Sequence, residues 1–360
     1  MMDYPEQKGL TYLNTAACGL VSGEIAAPGI AFYRDLSKGS ATAEFWRDQL
    51  SVKIRGNIAR FLNAPERNIA MIPCFSHGMN ALVQSLKGSE NILLYEWDYP
   101  SLINPFKVNN FNISWLRSED GFSINPQSVA EKIKNEDIDI VALSHVQWMS
   151  GAIADLKAII DICHRQDVLF IVDTTQSLGA EPVNIGELEP DALISSNYKW
   201  MNAGFGTGIM YLSDRFLGQY PPVYGGVNSY IFKEGQETRR PSILDYEPGH
   251  LNMAGFSVLD AAINHKLEVG VENIARHNRQ LTELFVKRCP ELPVTLVGRA
   301  DMQNRSAIVV LKDEAGLGPW LLKNNFIVTL RNNTIRLSFH EHNTEEEVLK
   351  LINCIQTTKV

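Results

Sequence analysis

None of the cysteines in this chain stands at metal-binding or redox spacing. The five, Cys18, Cys74, Cys163, Cys289 and Cys354, are odd in number and scattered, with no CxxC pair. This argues against a disulfide framework and a cysteine-ligated zinc, and points to free thiols in a reducing cytoplasm. Cys163 and Cys354 sit among helically spaced apolar residues and are expected in the core; Cys18 and Cys74 lie in segments that can face a site. Positive charge is also scarce. Lys and Arg total 33 against 41 Asp and Glu, a formal charge of −8, and no basic tract gathers them. Such a chain offers no field to a phosphate backbone, so nucleic-acid binding is set aside. No apolar run reaches the length of a bilayer, and no membrane span is expected. The start, Met1-Met2-Asp3-Tyr4-Pro5-Glu6, lacks a basic region followed by an apolar core, so no signal peptide is expected. There is no internal repeat and no low-complexity segment. What remains is an ordinary globular composition, 45% hydrophobic and 21% charged, over 360 residues. That length suits two domains better than one core.

From about residue 65 to 212 the pattern alternates helix and strand. Leu156, Ile159, Ile160 and Cys163 form the stripe of an amphipathic helix. It leads into the run Val168-Leu169-Phe170-Ile171-Val172, which ends on Asp173. Ile138–Leu143 and Asn91–Tyr95 read as further buried strands. Continuous β-branched runs between amphipathic helices indicate an α/β fold, a mostly parallel sheet covered on both faces. Ligands of such sheets bind beyond the carboxyl ends of the strands. A loop region runs from Pro221 to about Gly249, and a long helix is expected from Ala254 through Lys287. Strands near Ala307–Leu311 and Thr334–Phe339 and a final helix opening at Asn343-Thr344-Glu345-Glu346 complete a smaller α/β unit. The expected division is a large domain over residues 15–250, with 1–14 and 251–360 forming the small one.

Lys199 is the most informative residue. It stands in Ser195-Ser196-Asn197-Tyr198-Lys199-Trp200, just past the apolar run Ala192-Leu193-Ile194, and Asn202-Ala203-Gly204-Phe205-Gly206-Thr207-Gly208 follows. Asp173 lies twenty-six positions earlier at another strand end. Taken singly, Lys199 reads as a solvated loop lysine and Asp173 as a helix cap. Together they can converge on one cofactor ring. In pyridoxal phosphate enzymes a lysine forms a Schiff base with the aldehyde, and an acid keeps the pyridine nitrogen protonated so that the ring accepts electrons.

The ordered set of segments resembles fold-type I pyridoxal phosphate enzymes of the class V aminotransferase family. Within it the chain looks most like the cysteine desulfurase, selenocysteine lyase and isopenicillin N epimerase branch. The resemblance runs from Tyr12-Leu13-Asn14-Thr15-Ala16-Ala17 to the terminal helix. It implies a large domain with a mostly parallel sheet between helices, and a smaller α/β C-terminal domain. Phe75-Ser76-His77-Gly78-Met79-Asn80 takes the phosphate-loop position, where a helix start offers N–H groups and Ser76 a hydroxyl. His77 stands there in place of the family's usual acid and is counted with the cofactor-binding residues. Tyr99 takes the place of the residue that stacks on the ring, a histidine in desulfurases. Trp148 stands where desulfurases have an asparagine near the phenolic oxygen, and His145 reads as a structural or a catalytic residue.

Asp173-Thr174-Thr175-Gln176 resembles the family's Asp-x-x-Gln, with Asp173 for the pyridine nitrogen and Gln176 for the phenolic oxygen. Ser196 and Tyr198 match a phosphate-binding Ser-x-His, with a phenol as the second donor. Pro221-Pro222, Gly225-Gly226 and Glu247-Pro248-Gly249-His250 match loops that cross to a partner subunit. His250 would then reach the neighbouring phosphate, which implies a homodimer with shared sites. Arg336 matches the arginine that clamps a substrate carboxylate. The interval in which desulfurases carry a nucleophilic cysteine is here Thr329-Leu330-Arg331-Asn332-Asn333-Thr334, short and without a thiol. Cys18 is the nearest substitute, and a buried structural thiol is the commoner case. The resemblance implies an enzyme acting on an amino acid, with Lys199 as imine-forming residue and as base at Cα. A lyase of carbon–sulfur or similar bonds without an enzyme persulfide ranks first. An aminotransferase or epimerase is the alternative, and a pyridoxal phosphate sensor or carrier without turnover is the reading of another class.

Overall fold

The computed structural model describes residues 9–42, 44–226, 229–233, 235–239, 241–299, 302–314 and 316–358. A two-residue strand, β1 (Thr11–Tyr12), precedes two helices, α1 (Gly23–Ser37) and α2 (Ser51–Leu62). The strands β2 (Ile69–Ile72), β3 (Asn91–Tyr95), β4 (Asn112–Leu116), β5 (Ile140–Ser144), β6 (Leu169–Asp173), β7 (Ala192–Ser196) and β8 (Gly208–Leu212) then form one seven-stranded sheet. Their order is β2-β8-β7-β6-β5-β3-β4, and β8 alone runs against the rest. The connections carry α3 (Phe75–Ser85), α4 (Pro100–Val108), α5 (Pro126–Glu136), α6 (Leu156–Arg165) and the short α7 (Ile185–Leu188).

The expected buried strands are present within one or two residues of their places. Their apolar runs divide by alternation. Leu93, Val141, Leu143, Phe170, Val172 and Leu193 enter the core on one face, and Ile92, Leu94, Ala142, Ile171 and Ile194 the core on the other. Each such Leu, Ile, Val or Phe side chain, withdrawn from water, contributes roughly 1.5–3 kcal/mol. Helix α6 buries Leu156, Ile159, Ile160 and Cys163 as its spacing requires, and Asp155 caps it by accepting from the Ala158 N–H at 3.0 Å.

The loop expected over 221–249 contains more structure than its composition suggests. After α8 (Asp214–Gln219) come an antiparallel hairpin, β9 (Tyr230–Lys233) with β10 (Gln236–Arg239), and a 3₁₀ turn at Ile243–Tyr246 closed by a Ser242/Asp245 capping box. The expected long helix is two helices, α9 (Met253–Val269) and α10 (Val271–Arg288), because Gly270 at φ 84° ends the first. A side chain there would be strained, so the glycine stops the helix despite continuous apolar spacing.

The two helices also serve different cores. Met253, Phe256, Leu259, Ala262 and Ile263 of α9 pack with the large sheet's core. A Cβ on Gly29 of α1 would come within 2.6 Å of Val258, so α1 and α9 touch through a bare backbone. Helix α9, which lies past the division expected at residue 251, thus packs with the large sheet. The second core begins with Leu281, Phe285 and Val286 of α10. It continues through β11 (Ile308–Lys312), α11 (Leu317–Lys323), β12 (Phe326–Ile327), β13 (Thr329–Arg331), β14 (Thr334–Ser338) and α12 (Glu345–Gln356). Thr344 caps α12 in a capping box with Glu347, at the expected place. Cys354, expected in the core, is only half-buried on the flank of α12. Strands β13 and β14 are joined by a two-residue turn, Asn332–Asn333, with both φ positive at 47° and 56°. Asparagine tolerates that conformation better than other side chains, and such turns suit the twist of a hairpin. Among the described residues no helix is long and apolar enough to cross a membrane.

Candidate active site

Three strand ends meet at one cavity of about 280 Å³. Its walls include Ser144 at the end of β5, Asp173 at the end of β6, Ser196 at the end of β7, and Lys199 on the turn that leads to β8. The Lys199 Nζ lies 5.5 Å from the ring centroids of both Tyr99 and Tyr198. Burial pushes its ammonium below the ordinary lysine value, opposed by Asp173 and assisted by Arg336. Burial likewise raises the Asp173 carboxyl above the usual range, against the bonds it receives from Thr175. The Thr175 N–H donates to Asp173 Oδ1 at 2.8 Å, and Thr175 Oγ1 accepts from the Ser196 N–H at 3.0 Å. One threonine thus ties two strand ends at the site.

The Lys199 turn is held from behind. Asn202, in left-handed backbone at φ 58°, donates its N–H to Lys199 O at 3.0 Å. Its side-chain oxygen accepts from Lys266 Nζ at 3.0 Å and lies 2.9 Å from His340 Nε2. Lys266 is fully buried and pairs with Glu341 at 2.6 Å. Burial drives Lys266 and His340 down, whereas the Lys266 charge holds Glu341 well below the carboxylate range in spite of its own burial. Trp200 extends the link into the cavity wall: its N–H donates to Gln176 Oε1 at 2.8 Å and its carbonyl lies 3.0 Å from His340 Nε2.

The structure gathers Ser76, Tyr99, Asp173, Gln176, Ser196, Tyr198 and Lys199 around this cavity. Ser76 Oγ donates to Ser101 Oγ at 2.9 Å, and Ser196 Oγ accepts from the Phe75 N–H at 2.8 Å. The Tyr198 ring is stacked on Phe205 at 4.8 Å, and Tyr99 meets Trp148 edge-on at 5.5 Å. Gln176 Nε2 donates to Ala16 O at 3.1 Å, so its amide is fixed from two sides. Arg336, on β14, stands behind the cavity wall and donates from Nη1 to the carbonyl of the lining residue Trp148 at 2.9 Å. Burial and the neighbouring Arg331 lower its pKa to about 10.

The His77 and His250 side chains do not join this group. His77 meets Tyr224 edge-on at 6.3 Å, and both histidines line a separate cavity with Pro248 and Asn252. His77 is one position past Ser76 on α3, and that step turns its side chain about 100° around the helix. His250 meets Trp46 at 5.1 Å. Cys18 is half-buried outside the cavity wall, whereas Cys74, at the start of α3, lines it.

Residues 12–315 match the model of the family described as aminotransferase class-V. The chain belongs to the class V aminotransferase family. It is 24% identical over 311 residues to an uncharacterized aminotransferase, YcbU, of Bacillus subtilis, covering 83% of this chain and 81% of that one. It is 23% identical over 384 residues to a cysteine desulfurase of Escherichia coli, covering 96% and 93%. Among solved structures, an apo cysteine desulfurase from Thermococcus onnurineus superposes with a TM-score of 0.88 at 19% identity, over 99% of this chain and 98% of that one. A complex of the cystine C–S lyase C-DES with its product cysteine persulfide gives 0.89 at 20% identity, over 99% of each. The fold is that of PLP-dependent transferases, fold type I, and this class V protein is a pyridoxal-phosphate-dependent enzyme.

The residues present fit that cofactor. The first turn of α3 is closed by the Gly78 N–H on Cys74 O, and the Phe75 N–H goes to Ser196. Cys74 gives no side-chain cap, so the Ser76 and His77 N–H groups stay open at the positive end of an 11-residue helix, where a phosphate binds well. A buried lysine, a buried carboxyl and the flat face of Tyr99 stand around one space of suitable size. Residues behind the cavity wall of this class V enzyme also support the site, and the sequence motifs do not point to them. Asp98 is buried, with Oδ2 accepting from the Ser144 N–H at 2.8 Å, and it adds a second carboxyl beneath the site. Its place between Trp97 and Tyr99, straight after β3, was the available signal. The Lys266–Glu341–His340 group gave none, since its members lie 64–140 residues from the turn they brace.

Proposed function

We propose that this enzyme is a lyase that breaks a carbon–sulfur or similar bond at the β-carbon of an amino acid, without carrying sulfur on its own chain. The observation that supports this most is the β13–β14 hairpin. Its tight Asn332–Asn333 turn stands where the resemblance places a cysteine loop, and neither strand holds a thiol. Cys18 is a poor substitute, with burial raising its pKa and its thiol directed to Gly19 O at 3.6 Å. Cys74 stands at the α3 end of the cavity, whereas Arg336 enters by way of Trp148.

Pyridoxal phosphate, when bound, supplies a protonated ring that withdraws electrons from an attached amine. The chain's own residues do the rest. The open N–H groups of α3, with Ser76, Ser196 and Tyr198, would hold the phosphate. Asp173 would keep a proton at the ring nitrogen, Tyr99 would cover a face, and Gln176, braced by Trp200, would meet the phenolic oxygen. Arg336 holds the substrate carboxylate, which orients Cα. Lys199, with its depressed pKa, is available as a neutral amine to take the proton from Cα. The leaving group departs from Cβ with its bonding electrons, so no enzyme nucleophile is consumed. A cystine C–S lyase shares this scaffold, which supports the reaction as one the fold can host.

Sulfur-containing amino acids incubated with the enzyme should give pyruvate as the carbon product. Alanine formed in step with a persulfide on Cys18 or Cys74, found by mass spectrometry, refutes the reading. The same proposal includes a homodimer in which Gly225, Gly226 and His250 reach the neighbouring site. Truncating His250 should then weaken cofactor retention, and a fully active monomer in sedimentation contradicts it. The five free thiols support a cytoplasmic location.

A further inference from the structure

Two arginines approach the same wall of the active site, and among the described residues neither has an acidic partner. Across the β13–β14 hairpin, Thr329 pairs with Arg336 and Arg331 with Thr334. Side chains alternate along a strand, so Thr329 and Arg331 share a face, and Arg336, directly opposite Thr329, shares it too. That face meets Trp148. Arg331 stacks over its ring with the guanidinium carbon 4.7 Å from the centroid, and Arg336 donates to its carbonyl. Trp148 in turn lines the Lys199 cavity.

Several other arginines of the chain meet carboxylates: Arg55 with Glu247, Arg67 with Asp214, Arg215 with Asp167, Arg239 with Asp245. Arg331 and Arg336 have no such carboxylate among the described residues. The Nε of Arg336 is buried without a hydrogen-bond partner. Two like charges held on one face, one of them stripped of water, are unfavourable unless anions complete them.

We propose that the substrate is an amino acid with two anionic groups. Its α-carboxylate goes to Arg336 and a second carboxylate, sulfinate or sulfonate at the far end of its side chain goes to Arg331. The inference rests on the reading of Arg336 given under Proposed function. Arg331 is exposed, so the group it meets sits at the mouth of the cavity while the reacting carbons lie inside. A planar fork stacked on an indole is already oriented, so binding the second anion costs little further ordering.

Amine-free acids test this on the cofactor-loaded enzyme without any turnover. Propionate, succinate, glutarate and adipate are titrated by calorimetry. The best diacid should bind about ten-fold tighter than propionate, the scale of one added charge-assisted contact at a solvent-facing site. In Arg331→Met that preference should fall below two-fold with propionate affinity kept, and Arg331→Lys should restore part of it. Diacids that bind no better than propionate, or a preference that survives Arg331→Met, overturn the proposal and leave Arg331 a solvated rim residue. Arg336→Met should weaken all four acids. Propionate binding that is unchanged in Arg336→Met counts against the carboxylate clamp itself, a separate failure.

Discussion

Replacing Glu341 by glutamine tests whether the buried group behind Lys199 holds the active-site turn. The substitution keeps the size of the side chain and its capacity for hydrogen bonds, and removes one charge. Lys266 then remains fully buried beside Asn202 and His340 with no counter-charge at 2.6 Å. Leaving one partner of a buried pair uncompensated costs about 3–5 kcal/mol. With an unfolding entropy of roughly 2.1 cal/mol/K per residue, a chain of 360 residues should melt about 4–7 °C lower. The double variant Lys266→Met/Glu341→Gln should regain most of this, because the stranded charge goes with the lysine. The folded-state pKa of Glu341 is depressed, so its contribution is complete above the unfolded glutamate value of about 4.3 and is lost as pH falls below it. The gap between parent and single variant should therefore be constant from pH 7 to 5 and shrink toward pH 3. Scanning calorimetry measures all three proteins. A single variant that melts within a degree of the parent at pH 7, or a double variant worse than the single, refutes the reasoning.

Lys199→Ala should remove the visible absorption of the bound cofactor that borohydride abolishes, and a normal reducible band in that variant refutes the assignment. Asp173→Ala should hold the cofactor more weakly and lose turnover by several orders of magnitude. Because Asp173 opposes the downward push of burial on Lys199, Asp173→Asn should lower the lysine further. The pH midpoint for cofactor capture by the apoprotein should then move to lower pH, and an upward move counts against the pairing. In the hairpin turn Asn333→Ala should cost about 1–2 kcal/mol in urea denaturation, while Asn333→Gly should be near neutral, since only the former strains a left-handed residue.

The large sheet was legible because its strands are buried on both faces, which leaves uninterrupted runs such as Leu169–Val172 with the polar site residue at the end. Lys199 and Asp173 could be placed for the same reason. Less could be read where one residue outweighs a pattern. Gly270 breaks a stripe of apolar residues that alone describes one helix, and the hairpin Tyr230–Arg239 is short and largely polar in its second strand. The direction of His77 depended on its angle around α3, which a match of positions along the chain does not carry. The segment of Cys74 can face a site by its sequence, but its place in the wall follows from the packing of α3 against β7. The Lys266 network was invisible, since it is assembled across both cores.

Lys199 and Arg336 are anchored in different cores, the first on the large sheet and the second on a strand whose Ile335 and Leu337 pack with α10 and α12. Neither core fixes the gap between them. That gap is bridged by the His340 and Lys266 bonds to Asn202 and by a thin seam where Ala16, Val146 and Trp200 meet Ala307, Ile308 and Val310. The fit there is close, since a Cβ on Gly151 would fall 2.3 Å from Ile308 O. The enzyme is thus a pair of callipers with its adjusting screw away from the jaws. Shaving a methyl from Ile308, or adding one at Ala307, would reset the length of substrate that spans grip and base while leaving every residue of the cavity wall as it was.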